Sequence, residues 1–147
     1  MKNPRLTEFW IIMERWEPND MDDRILVIHN NDEIVSHNTI NLVSMGYKVH
    51  SVDEESMGLK LLAADPTGWS LVILKQRPNS ITHTQNVINA VLEISPHLPV
   101  VLVSNQSQRL AKDLFTGIAT IIEWPYDARQ LAMTIQTVLR GQKRRAV

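Results

Sequence analysis

The feature that most constrains this chain is a regular alternation, from Arg24 onward, of short apolar runs with segments of helical periodicity. Such alternation is typical of β-α units on a parallel sheet. The apolar runs predict five strands, which are Ile25–Ile28, Lys48–Val52, Leu71–Leu74, Leu98–Val103 and Ala119–Ile122. The helical segments are 32–45, 53–62, 84–94, 107–116 and 128–140. We therefore predict one α/β domain over residues 23–141.

Short local signals set the predicted helix ends. Gly46 ends the first helix, Asp127 precedes the last one, and Gly141 ends it. Residues 142–147 are then a short basic tail containing Lys143–Arg145. Such a tail is a solubilising cap more often than a nucleic-acid site, which would need a larger basic surface.

The segment before this domain, residues 1–22, predicts an N-terminal amphipathic helical extension. Its apolar stripe at helical spacing consists of Leu6, Phe9, Trp10, Met13 and Trp16. The stripe fits two interpretations. It packs on its own domain, or it faces a partner or a second copy in a homodimer, since aromatic residues are enriched at interfaces. Met21 also offers an alternative start of translation.

Composition excludes several classes of protein. The 147 residues include no cysteine, which excludes disulfides and thiolate chemistry, and a net charge of -1 gives no broad attraction to nucleic acid or to an anionic membrane. The apolar runs are far shorter than the roughly 20 residues that cross a bilayer. The histidines lack metal-ligand spacing, and neither a Gly-x-Ser-x-Gly turn nor a phosphate-binding glycine loop is present. We expect a cytoplasmic protein that acts on neither nucleic acid nor membrane.

The run Ser70–Lys75 contains the predicted central strand, Leu71–Leu74, and it ends abruptly in a charge. The carboxyl ends of strands in open α/β sheets are where ligands bind, so Lys75 lies where chemistry would occur. No Asp or Glu lies between Asp65 and Glu93. No carboxylate is therefore available in this strand or in the loop that follows it.

The order of strand ends resembles the receiver domain of two-component response regulators. The resemblance covers Arg24 to Arg140, and it rests on an apolar strand followed by polar residues, on Leu98–Ser104, and on a closing motif within Gly117–Leu131. It implies a flavodoxin-like sheet in the order 2-1-3-4-5 with helices on both faces. It also implies an Asp at the end of the third strand that accepts a phosphoryl group, an acidic pair that holds magnesium, and a Ser or Thr and a Lys that contact the phosphoryl oxygens.

The residues implied for phosphoryl transfer are mostly replaced. His29 and Asn30 occupy the acidic-pair positions, and they cannot supply the charged oxygens that magnesium prefers. Lys75 occupies the acceptor position and can form no acyl phosphate. We hypothesise that Asp32 and Glu33 pair with the Lys75 ammonium and hold the domain in one fixed state.

Of the remaining positions of the implied pocket, some keep the residue that receivers carry and others do not. Ser104 is retained. Trp124 replaces the Lys of the closing motif while Pro125 stays, and Ile121 occupies the position of the switch aromatic. Both the trigger of a receiver and its readout are therefore altered.

The sequence favours a stand-alone pseudo-receiver, which is a non-enzymatic signalling module of the phosphorelay type that acts by protein-protein contact without phosphorylation. We expect no cofactor, no metal and no catalytic residue. Its partner would be a signalling protein or a protein related to histidine kinases, contacted through the last helices and strands. The alternative is a divergent enzyme or small-ligand binder that uses His29, Lys75 and Ser104. A third interpretation makes Asp32 an unusual phosphoryl acceptor.

Overall fold

The fold is built on a five-stranded parallel sheet. The computed structural model describes residues 23–29, 42–76, 80–104, 113–123 and 126–146. The strands are β1 (Arg24–Ile28), β2 (Lys48–Val52), β3 (Leu71–Lys75), β4 (Val100–Ser104) and β5 (Thr120–Glu123). They are ordered β2-β1-β3-β4-β5, and every neighbouring pair is parallel. This confirms the flavodoxin-like architecture and order predicted from the sequence.

Three helices lie within the described residues, α1 (Glu55–Ala64), α2 (Ile81–Ile94) and α3 (Ala128–Ala146). Residues 42–44 and 113–114 are also helical. At the start of α3, Asp127 and Gln130 each donate a backbone N–H to the other's side-chain oxygen, at 3.0 and 2.8 Å. This reciprocal cap satisfies two helix-end donors, as the predicted entry through Asp127 requires.

The core has one layer on each side of the sheet, because alternate strand residues point to opposite faces. The first layer joins Leu26, Val72 and Leu102 of the sheet to Leu62 of α1 and Ile88 of α2. The second joins the other strand residues to α3 and to the segment after residue 41, and its main members are Ile25, Ile73, Val101, Leu42, Leu131 and Ile135. Both faces of the central strand are thus covered, which explains its continuous apolar run.

One predicted helix end is confirmed and another is wrong. Gly46 has a φ of 98°, in the left-handed region that glycine adopts without a Cβ clash, and it closes the helical turn before β2. Gly141, in contrast, does not end α3, which continues to Ala146. The next residue explains this, since the Gln142 side chain donates to the carbonyl of His97 at 2.6 Å and anchors a further turn. Residues 143–145, predicted as a tail beyond the helix, are therefore part of it.

Other boundaries move by a few residues. The Ser80 carbonyl accepts the Thr84 N–H at 3.1 Å, so α2 begins earlier than predicted. β4 begins after Pro99, which has no N–H to donate. The predicted extension 1–22 and most of the predicted helices 32–45 and 107–116 lie outside the described residues. Within the described part of the chain, no helix is long and apolar enough to cross a membrane.

Candidate functional site

The strand register brings three polar side chains together at the carboxyl edge of the sheet. Ile28 at the end of β1 pairs with Val52 of β2 on one side and with Leu74 of β3 on the other. The next residue on each of these strands is polar. Asp53, His29 and Lys75 therefore lie side by side, in that order, across the edge.

His29 is buried, with 8% of its surface exposed. Its backbone N–H donates to the Val52 carbonyl at 2.9 Å, which continues the pairing of β1 with β2. Its ring Nδ1 is buried and has no hydrogen-bond partner among the described residues. Burial lowers the pKa of His29, the negative charge of Asp53 opposes this, and the positive charge of Lys75 adds to it. The neutral imidazole is therefore the favoured form near neutral pH.

Lys75 is the last residue of β3 and is half-buried, whereas the four residues before it are fully buried. Burial lowers the pKa of its ammonium, because removing a charge from water disfavours the charged form. A cation at the end of the central strand gives this edge a positive centre. In a receiver that binds magnesium, carboxylates surround a metal cation at this edge. Here the cation is the lysine side chain itself.

Ser104 lies at the end of β4 and is almost fully buried. Its hydroxyl donates to the side-chain oxygen of Gln76 at 2.6 Å. The register explains this contact. Lys75 lies opposite Val103, so the residues that follow them, Gln76 and Ser104, are also neighbours. Gln76 also donates its backbone N–H to the Val103 carbonyl at 2.8 Å. Sequence reasoning missed Gln76, although its position directly after Lys75 and beyond the apolar run was a usable signal.

The predicted switch position, Ile121, lies inside the hydrophobic core and not at the edge of the sheet. Ile121 is buried in β5 opposite Leu102, as part of the hydrophobic core. Beyond it, the exposed Glu123 lies opposite Ser104 at the edge. The structure thus brings together His29 and Lys75 and, one strand further, Ser104 with Gln76. The remaining predicted positions lie outside the described residues, and they are Asn30, Asp32, Glu33, Trp124 and Pro125.

The chemistry available at this edge is limited. Across the part of the chain that the structure describes, no three His, Asp or Glu side chains are close enough to hold a metal ion. What the described part of the edge offers is one ammonium, one neutral imidazole, one amide-hydroxyl pair, and the exposed carboxylates of Asp53 and Glu123 on the flanking strands. This set can donate hydrogen bonds and attract an anion, but it holds no carboxylate at the end of β3.

A sequence model described as flagellar regulatory protein FleQ matches residues 24–138, which span all five strands and most of α3. The chain belongs to the FleQ family. Comparison with curated proteins found no match. The family match covers the receiver-like region that the sequence resemblance indicated, and it does not favour an enzyme.

Solved structures share the fold of this FleQ-family chain. A receiver domain protein from Clostridium thermocellum is 20% identical with a TM-score of 0.68, and 82% of this chain and 97% of that one are covered. A CheY-like receiver domain protein from Methanospirillum hungatei has 17% identity and a TM-score of 0.70, and the match covers 84% of this chain and 98% of that one. NtrX from Brucella abortus has 20% identity and a TM-score of 0.69, covering 85% of this chain but 28% of NtrX. At these identities the likeness establishes a receiver fold.

Proposed function

We propose that this FleQ-family domain is a pseudo-receiver, a signalling module that keeps the receiver scaffold and acts through protein contact without accepting a phosphoryl group. The observation that carries the proposal is Lys75, which occupies the carboxyl end of the central strand. In a receiver that accepts phosphate, this position requires a carboxylate. The module is non-enzymatic, needs no cofactor, and is related to phosphorelay signalling by its scaffold.

The surrounding residues support the same proposal. An amine cannot form an acyl phosphate, and the sequence holds no Asp or Glu between Asp65 and Glu93. A neutral His29 supplies none of the negative charge that magnesium requires. The Ser104 hydroxyl, which would otherwise contact a phosphoryl oxygen, donates to Gln76.

A direct experiment tests the proposal. The full chain is incubated with acetyl phosphate and magnesium and its intact mass is measured, beside a receiver that accepts phosphate as the positive control. We expect no adduct on this chain and a phospho-adduct on the control. A stoichiometric adduct on this chain, mapped to any residue including Asp32, would overturn the proposal.

We propose further that Lys75 holds the domain in one state through a charge pair with Asp32 and Glu33. A half-buried ammonium is costly unless a negative group compensates it. The Lys75→Ala variant should then lower the midpoint of thermal unfolding and weaken partner binding. The Lys60→Ala variant removes an exposed lysine from α1 and is the matched control. Equal stability and equal binding of the two variants would argue against the pair.

The proposed contact surface is the face formed by β5 and α3. β5 is an edge strand of the sheet, and Met133 on α3 is 57% exposed. Between these elements lies a cavity of about 570 Å³ lined by Thr120, Met133 and Val138. An exposed methionine beside a recess of mixed polarity, with threonines in its wall, suits a protein partner, or a second copy in a homodimer. Met133→Glu should weaken such association, while Met57→Glu, an equally apolar exposed site on α1, should not.

A further inference from the structure

A groove crosses the opposite edge of the sheet, where the strands begin. One cavity of about 380 Å³ lies between the residues that precede β1, β3 and β4 and the end of α3. A second, of about 740 Å³, adjoins it and shares the segment from Pro96 to Pro99 and Gln142. Trp69, Leu98 and Leu139, with the neighbouring prolines, make the first cavity largely apolar. Its size is within the range of pockets that enclose a ligand.

Hydrogen bonds fix the walls of this groove. The Ser95 hydroxyl donates to the Pro66 carbonyl at 2.7 Å and so joins the end of α2 to the turn before β3. The Gln142 amide holds the His97 carbonyl at 2.6 Å from the side of α3. The Ser70 hydroxyl donates to a carboxylate oxygen of Asp23 at 2.9 Å. The groove is thus preformed, which reduces the entropic cost of filling it.

Trp69 places a large aromatic residue in the wall of the groove. Its side chain lines the cavity and is 8% exposed, and its indole N–H is buried with no acceptor among the described residues. A buried indole N–H ordinarily finds an acceptor. An aromatic side chain packed on the groove face of this residue would bury apolar surface of both rings.

We propose that residues 1–22 of the same chain occupy this groove, with the aromatic stripe of the predicted helix placed against Trp69 and Leu98. Asp23, the residue that follows this segment, lines the groove itself. Trp16 precedes Asp23 by seven residues, a stretch that reaches about 23 Å when extended and less when turned. The tether therefore keeps the stripe next to the groove at a high effective concentration. This inference does not depend on the proposed function.

The segment before Asp23 and the last residues of the chain carry opposite charge. The segment leading into Asp23 is acidic at Glu17, Asp20 and Asp22. On α3, Gln142 lines the groove and is followed directly by Lys143–Arg145. The acidic end of the segment and the basic end of the chain are opposite in charge, which favours attraction between them. An apolar stripe held by a short tether, with complementary charge at its base, fits an occupant from this chain better than an unrelated partner.

Disulfide trapping in the full chain tests the proposal, and it is clean because the chain has no cysteine of its own. Met13→Cys is combined with His97→Cys, an exposed residue of the groove wall. The control combines Met13→Cys with Asp53→Cys, exposed at the other edge of the sheet. Under oxidised glutathione at low protein concentration, we expect an intramolecular disulfide many-fold faster in the first variant. Equal rates, or no disulfide in either, would overturn the proposal. A disulfide between two molecules would also overturn it and would make a second copy the occupant.

A second measurement does not need cysteine. Trp16→Ala should lower the midpoint of thermal unfolding by several degrees and shift the indole N–H resonance of Trp69, because the buried ring leaves the groove. Arg15→Ala changes the polar side of the same predicted helix and should do neither. If the Trp69 resonance and the midpoint are unchanged in Trp16→Ala, the segment does not occupy the groove.

Discussion

The two edges of the sheet are built differently. At the amino edge, the Arg24 guanidinium lies 4.3 Å from the centroid of the Trp69 ring and donates to Asp65 at 2.9 Å and to the Gly68 carbonyl at 3.3 Å. His50 adds an edge-to-face contact, with its ring centroid 6.1 Å from that of Trp69. At the carboxyl edge, His29 has a buried nitrogen without a partner among the described residues, beside a half-buried Lys75.

Each edge has one buried ring nitrogen without a partner among the described residues, at Trp69 and at His29, so the edges differ in the contacts that surround it. The amino edge joins the start of β1 to the turn before β3, and its contacts support one another. At the carboxyl edge, polar groups are partly or fully removed from water, which disfavours their charged forms. Groups of this kind are concentrated at functional sites. The contacts at the amino edge therefore stabilise the scaffold, while the carboxyl edge holds the candidate site.

The largest expected effect is at the amino edge. Trp69→Ala should lower the free energy of unfolding by about 3–5 kcal/mol, since it empties a buried aromatic site. Trp69→Phe keeps a ring under Arg24 and should lose much less. Urea denaturation of the two variants measures both. A loss below 1 kcal/mol for the alanine variant would mean that the contacts around Trp69 do not make the amino edge the more stable of the two.

At the carboxyl edge, Ser104→Ala should cost about 1–3 kcal/mol, because it removes a buried donor from the Gln76 side chain. Adding Gln76→Met to this variant removes the buried amide as well and should recover part of the loss. Comparing the single and double variants by urea denaturation isolates the hydrogen bond. If the double variant loses more free energy of unfolding than the two single variants lose together, the Gln76 amide has another stabilising role.

Two glycines give opposite expected signs for the same change. A Cβ at Gly68 would lie 2.0 Å from the Asp65 Oδ2 atom and 2.6 Å from the Arg24 Nη1 atom, so Gly68→Ala should displace the ion pair and cost about 1 kcal/mol. A Cβ at Gly141 would meet nothing within 4 Å, so Gly141→Ala should stabilise α3 by about 0.5–1 kcal/mol. Thermal unfolding of both variants is the measurement. A destabilised Gly141→Ala would contradict the helix that continues past residue 141.

The smallest effect concerns pH. The folded-state pKa of His29 lies below its ordinary value of 6.5, so the unfolded chain binds the extra proton first as pH falls. The contribution of His29 to stability is present above pH 6.5 and declines as the pH falls below it. His29→Gln should flatten the decline in the free energy of unfolding between pH 7.5 and pH 5. An unchanged slope would mean that the imidazole is not desolvated.

Most of the fold could be predicted because it depends on local pattern. The runs at β1, β3 and β4 are apolar enough to identify strands, and the segments between successive strands are long enough for one helix each. Helix ends were less secure. Gly46 ended a helix as predicted, while Gly141 did not, because a distant contact from Gln142 outweighed the local signal.

The candidate site was predicted only in part for the same physical reason. Lys75 could be identified from the sequence, since an isolated charge after an apolar strand is a local feature. The Gln76 partner of Ser104, the neighbours of His29 and the cluster around Trp69 join residues that are distant along the chain. The sequence alone determined that the end of the central strand carries an amine and no carboxylate. Only the parallel register, which sets residues of different strands side by side, decided which groups surround that amine and which edge of the sheet is held most firmly.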